Sequence, residues 1–221
     1  MQEVIRVATG QASAALEEKI VRFARVPHYV LITGERGTGK TTIARRLHEL
    51  SSRSRSQFLS VNCASFTAEL LESELFGYEK GAFTGATTPK AGLFEIFSGG
   101  TLFLDEIGEL TLSLQAKLLK AVEEKRIRRV GGTSERSIEV RVIAATSRDL
   151  FGMVRKGEFR PDLFDRLNIL QLDTIPLRHQ RERIESLLNE QLEKERTSVG
   201  LTEPFLIDTD AMRFFLESEW K

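Results

Sequence analysis

At 221 residues, with 41% apolar and 29% charged side chains, the sequence is long enough for one large α/β domain, or two small ones, around a sizeable core. Its 32 basic and 32 acidic residues cancel, which argues against a domain whose main task is wrapping nucleic acid, and its single cysteine, Cys63, excludes an intrachain disulfide framework and fits a reducing cytosol. Met1–Gly10 is mixed and polar rather than a signal peptide, and no apolar run approaches the roughly 20 residues of a membrane span, so a soluble, cytoplasmic protein without membrane contact is expected.

In chain order, Ala12–Arg25 shows helical spacing, with Ala15, Leu16, Ile20 and Phe23 on one face, and Pro27 stops it. Tyr29–Thr33 reads as a short apolar strand, followed at once by a glycine-rich loop. Thr41–Leu50 is the next expected helix and Ser51–Ser56 a polar loop, whose Arg53 and Arg55 read as solvated or as a partner contact. Gln57–Asn62 is a second strand and Thr67–Phe76 a helix, whereas Gly77–Ala91 is rich in Gly, Thr and Ala without an apolar period. Thr101–Asp105 reads as a buried strand, Ser113–Glu124 as a helix, Val140–Thr146 as another apolar strand and Ile169–Leu172 as a last short one. Strands alternating with helices predict an α/β fold with a mostly parallel sheet sandwiched by helices. After Pro176 the pattern changes to helices alone, Arg181–Arg196 and Asp208–Glu219, so a core over residues 1–175 and the start of a helical subdomain over 176–221 are expected.

The loop after the first strand, Gly34-Glu35-Arg36-Gly37-Thr38-Gly39-Lys40-Thr41, fits G-x-x-x-x-G-K-[ST], the P-loop pattern. A chance match in a chain of this length has odds on the order of one in a hundred, and here the motif follows a strand and opens a helix. Glycines let backbone N–H groups turn inward around phosphate oxygens, and a helix N-terminus adds positive potential. Lys40 can reach the β- and γ-phosphates of ATP, Thr41 offers a hydroxyl to Mg²⁺, and Thr42 extends the expected nucleotide-binding set. The apolar strand Thr101–Asp105 ends in the adjacent carboxylates Asp105 and Glu106, the Walker B pattern: Asp105 would hold Mg²⁺ through water, and Glu106 would polarise the attacking water as general base. The plainer alternative is an acidic pair favoured by a helix N-terminus. Both motifs fall at the carboxyl ends of parallel strands, where ligands of open α/β sheets bind.

The stretch Glu72-Ser-Glu-Leu-Phe-Gly-Tyr-Glu-Lys80-Gly81-Ala82-Phe83-Thr84-Gly85-Ala86 resembles the signature of the sigma-54-dependent transcriptional activators, the bacterial enhancer-binding proteins, and Gly81–Ala86 reads GAFTGA, their hallmark. The resemblance runs from about Gly10 to about Ile184 and takes in Val61–Cys63, Gly100–Leu110, Leu114–Leu119, Val130–Thr133, Val142–Leu150 and Phe159–Asn168. It implies an AAA+ P-loop ATPase followed by a helical lid, acting as a ring, hexameric or heptameric, that remodels sigma-54 RNA polymerase to start transcription. It further implies that Gly81, Ala82, Phe83, Thr84, Gly85 and Ala86 form the tip of a loop that engages sigma-54, with Phe83 and Thr84 in contact. A second loop near Arg128–Ser137 would cooperate with this tip. By the same resemblance Asn62 hydrogen-bonds the catalytic glutamate, Ser147 senses the γ-phosphate, and Arg160 and Arg166 are arginine fingers that reach a neighbouring subunit's nucleotide. Enhancer DNA would be met only through a helix-turn-helix domain that this sequence does not contain.

Read without the resemblance, Arg160 and Arg166 are better explained by surface pairing with Asp162 and Asp165. The sequence departs from the family pattern in carrying Ser147 where asparagine is usual and Thr41 where the P-loop usually continues with glutamate. The family's lid also continues with a Gly-Asn-Val-Arg-Glu-Leu-like stretch that is absent here. Two further readings therefore stand beside the activator: an AAA+ remodeller of another protein target, and a nucleotide-binding interaction module with little turnover.

Overall fold

A computed structural model describes residues 11–220; the reading of Met1–Gly10 lies outside the described residues. In chain order the elements are α1 (Gln11–Ala24), β1 (Val30–Thr33), α2 (Lys40–Glu49), β2 (Phe58–Asn62), α3 (Ala68–Phe76), β3 (Gly77–Tyr78), β4 (Lys90–Ala91), α4 (Leu93–Ile96) and β5 (Thr101–Asp105). These are followed by α5 (Leu112–Glu124), β6 (Arg126–Arg128), β7 (Glu135–Ser137), β8 (Arg141–Thr146), α6 (Leu150–Arg155), α7 (Pro161–Leu167), β9 (Leu170–Asp173), α8 (Ile184–Ser198) and α9 (Thr209–Glu217). The chain divides into two compact units, one spanning Lys19–Thr174 and the other drawn from the residues before Lys19 and after Thr174. The division falls inside α1, whose later turns supply buried Ile20, Phe23 and Ala24; Ala15, expected on the apolar face, is exposed.

In the larger unit a five-stranded parallel sheet has the order β2-β5-β8-β1-β9 and is flanked by helices. The inner strands read as continuous apolar runs because both faces are covered: every residue of β8 is buried, and β5 is buried from Thr101 to Leu104. The edge strands β2 and β9 alternate towards exposure. The main core joins Leu102, Leu104, Val142 and Ala144 of the sheet to Leu114, Leu118 and Val122 of α5, with Leu71, Leu75 and Phe76 of α3 and Phe159, Leu163 and Leu167 near α7. Parallel pairing aligns the strand ends, Thr33 with Thr146 and with Asp173, and Asn62 with Asp105. The loops that leave β1, β2, β5, β8 and β9 therefore share one edge of the sheet.

Outside this sheet lie two small ribbons, β3–β4 and β6–β7. The second lies where a loop was expected near Arg128–Ser137. In the smaller unit α8 starts later than its sequence period suggested because residues 181–183 form a 3₁₀ turn, and α9 starts at Thr209 because Asp208 is its N-cap. Among the described residues no helix is long and apolar enough to cross a membrane.

Candidate active site

The loop after β1 turns at Gly34, Gly37 and Gly39, with φ of 143°, 78° and 85°. At Gly34 space as well as conformation demands glycine: a Cβ there would lie 1.9 Å from Thr174 Oγ1. Thr174 holds the loop by accepting from or donating to Thr38 Oγ1 at 2.6 Å, and Thr38 Oγ1 donates to Glu35 O at 2.8 Å. Helix α2 then starts at Lys40 with Gly39 as N-cap and no side chain capping it, so its first-turn N–H groups and positive end face the loop. Lys40 is buried, and its Nζ donates to Gly34 O and Glu35 O at 2.9 Å each. Thr41 and Thr42 are exposed. This loop is a cradle for an anionic group at a helix N-terminus.

Across the edge, β5 delivers Asp105 and then Glu106. Glu106 adopts φ 54°, ψ 49°, the left-handed region, which costs a non-glycine residue about 1–3 kcal/mol and is characteristic of functional sites. The turn buries its carboxylate: Oε2 accepts from Ser147 N at 3.0 Å and from Ser147 Oγ at 2.8 Å, while Oε1 lies 3.9 Å from both Lys40 Nζ and Arg36 Nε. Asp105 Oδ1 accepts from Glu106 N at 3.0 Å. Burial holds the Asp105 carboxyl above its ordinary range; the Glu106 charge adds to this, and the Glu106 N–H and the Lys40 cation oppose it. Burial, with the Asp105 and Glu106 charges beside it, pushes the Cys63 thiol up to about 12. The P-loop, Asp105, Glu106 and Ser147 are thus brought together. Asn62 differs: its Oδ1 accepts from Ala64 N at 2.9 Å, capping a 3₁₀ turn, and the hydrogen bonds to Glu106 come from Ser147 instead.

Phosphate-bound Mg²⁺ needs few protein ligands, and Thr41 with Asp105 is a fitting oxygen set. Among the described residues no cluster of three or more His, Cys, Asp or Glu could hold a metal by itself.

The other expected residues stand apart from this edge. Gly81–Ala86 forms a tight tip in which Gly81 N donates to Ala86 O at 2.8 Å and Ala86 N to Phe83 O at 3.0 Å, with φ of 83° at Gly81 and 101° at Gly85. Phe83 is 47% exposed, its ring meeting Tyr78 edge-on at 4.9 Å, and Thr84 is exposed. Of the residues that fasten this tip, Gly77 and Glu79 lie in the Glu72–Ala86 signature and Arg129, Val130 and Arg136 in the loop expected to cooperate with it, whereas Glu95 was not anticipated. Glu79 N donates to Val130 O and Val130 N to Gly77 O, joining it to the turn after β6. Arg129 pairs with both oxygens of Glu95 at 2.7 and 2.8 Å and reaches Glu79 at 3.3 Å, and Arg136 pairs with the same two carboxylates. Arg160 makes the local pair with Asp162, at 3.0 and 2.6 Å. Arg166 is exposed at the end of α7 and, among the described residues, has no ion-pair partner, so the expected alternative pairing with Asp165 does not form.

Residues 7–173 match the sigma-54 interaction domain family. Regulatory protein AtoC of Escherichia coli (strain K12) is 51% identical over 191 residues, 86% of this chain and 41% of AtoC. The structure of NtrX from Brucella abortus in complex with ATP superposes with a TM-score of 0.88 at 36% identity, over 97% of this chain and 46% of NtrX. The chain therefore spans less than half the length of these relatives. A P-loop NTPase domain of an E. coli sigma-54 activator, 18% identical with a TM-score of 0.53 over 77% of this chain and 99% of that one, shares the fold alone. The α/β core is thus an AAA+ P-loop NTPase fold, and the chain belongs to the sigma-54 interaction domain family.

Proposed function

We propose that this chain is an ATP-hydrolysing motor that acts on sigma-54 RNA polymerase as a homo-oligomeric ring. The observation that carries the reading is the Glu106 carboxylate, buried and held at the mouth of a P-loop by two donors of Ser147. Gly34–Thr42 would bind the ATP phosphates through backbone N–H groups, with Lys40 exchanging its carbonyl partners for phosphate oxygens. Thr41 and Asp105 would hold Mg²⁺, which when bound neutralises charge on the phosphates. Glu106 accepts the proton of the attacking water. Hydrogen bonds from Ser147 N and Oγ keep the carboxylate aimed, as a general base requires. Ser147 serves this role as well as the expected γ-phosphate contact.

Arg166, without an ion-pair partner among the described residues, is suited to stabilise charge on a neighbour's transferring phosphoryl group, and Arg160 accompanies it once it leaves Asp162. Phe83 and Thr84, exposed on a braced tip, would contact sigma-54. Glu106→Gln tests the hydrolytic core: ATP binding is retained and turnover falls by about 10²-fold or more, since the amide takes no proton. Turnover at the parent rate removes Glu106 as the base.

A further inference from the structure

Gln115 lies on α5, fully buried, and both ends of its amide are engaged. Nε2 donates to Leu110 O at 2.8 Å and to Glu158 O at 3.1 Å, and Oε1 accepts from Arg160 N at 2.8 Å. The partners fix the amide's orientation, because two carbonyls need donors and one N–H needs an acceptor. Leu110 closes the 3₁₀ turn whose first residue outside the helix is Glu106. Arg160 is the N-cap of α7, the helix that carries Arg166, and its own side chain gives that N-terminus no capping bond. One side chain thus ties the turn that follows the general base to the start of the arginine segment. A shorter amide cannot span this gap, a carboxylate lacks the donors, and an apolar side chain takes the partner from one buried and two part-buried backbone groups.

We infer that Gln115 is a positioning residue for the donated arginines: it fixes the Arg160–Arg166 segment to its own subunit's Glu106 turn, so that the arginines offered to a neighbour follow the donor's own nucleotide site. The inference rests on the action of Arg160 and Arg166 in trans. It makes a demand that simple core packing does not, namely that a change at Gln115 harms a subunit as donor and spares it as acceptor.

Mixed subunits separate the two. The reference mixture combines Lys40→Ala subunits, which donate arginines but have a disabled P-loop, with subunits carrying Arg160→Ala and Arg166→Ala, which have an intact P-loop but donate nothing. Each is inactive alone, and ATPase activity returns on mixing. Gln115→Met added to the Lys40→Ala donor should lower the recovered rate about tenfold or more, and added to the acceptor should change it less than about twofold. Should Gln115→Met impair folding in both settings, Gln115→Asn keeps an amide in the core, is one methylene too short, and is expected to show the same asymmetry. Equal losses in both arms with both variants, or no loss in the donor arm, overturn the role of Gln115 and leave trans action standing. No recovery in the reference mixture overturns trans action and the role of Gln115 together.

Discussion

At Glu106, backbone and side chain tell the same story: a left-handed turn that a glycine would adopt more cheaply is occupied by a carboxylate held by two hydrogen bonds. Its neighbour Asp105 has a raised pKa, chiefly from burial. The folded state therefore binds its proton more tightly than the unfolded state, and stability falls as pH rises above the ordinary carboxylate range. Ionised Asp105 thus costs stability at neutral pH, so Asp105→Asn should raise the thermal midpoint at pH 7 while hydrolysis is lost; a lowered midpoint would place another stabilising interaction on Asp105. Cys63 gives a second handle. With its thiol pushed up to about 12, only about one part in ten thousand is thiolate at pH 8, so the native protein should resist thiol alkylation there and release one reactive thiol on denaturation. Rapid labelling of the native state would contradict that burial. The site was legible where chemistry dictates residue type, in the P-loop and the Asp105–Glu106 pair. The partner of Glu106 was harder to read. Asn62 ends β2 and Ser147 directly follows β8, the two strands beside β5, and only the left-handed turn at Glu106 decides between them.

At the scale of elements, the five sheet strands could be read because buried strands must be apolar, and their ends differ from the expected ones by a residue or so. The β6–β7 ribbon could not. Only Ile127 of its paired residues is buried, and the ribbon is held by backbone bonds and by Glu135 between Arg126 and Arg128, a pattern that reads as a polar loop. Helices α6 and α7 are too short for a helical period to register, and are set by caps: Asp149 Oδ1 accepts from Gly152 N, and Pro161 opens α7. This ribbon and the Arg129–Glu95 pairs brace the Gly81–Ala86 tip from below, leaving Phe83 and Thr84 outside the nucleotide site. Phe83→Ala and Thr84→Ala should therefore leave ATPase activity within about twofold of the parent. Binding to sigma-54 in the presence of ADP–aluminium fluoride should be lost. Unchanged binding would remove the tip as the contact surface.

For the molecule as a whole, the P-loop and the Glu106 carboxylate occupy one edge of the sheet, while Arg166 has no hydrogen bond or ion pair with that edge among the described residues. An arginine finger is worth roughly 10³–10⁵ in rate, whereas an exposed arginine–aspartate pair contributes only about 0–1 kcal/mol, so the two roles for Arg160 and Arg166 differ by magnitudes that kinetics resolves. If the finger comes from a second copy, a single subunit holds an incomplete site and hydrolysis follows assembly. The most direct measurement is ATPase rate against protein concentration at saturating Mg·ATP. Rate per subunit should climb as concentration rises and then level off. A rate per subunit that stays constant at every concentration, or ATP bound without detectable hydrolysis, would contradict a ring motor with shared sites.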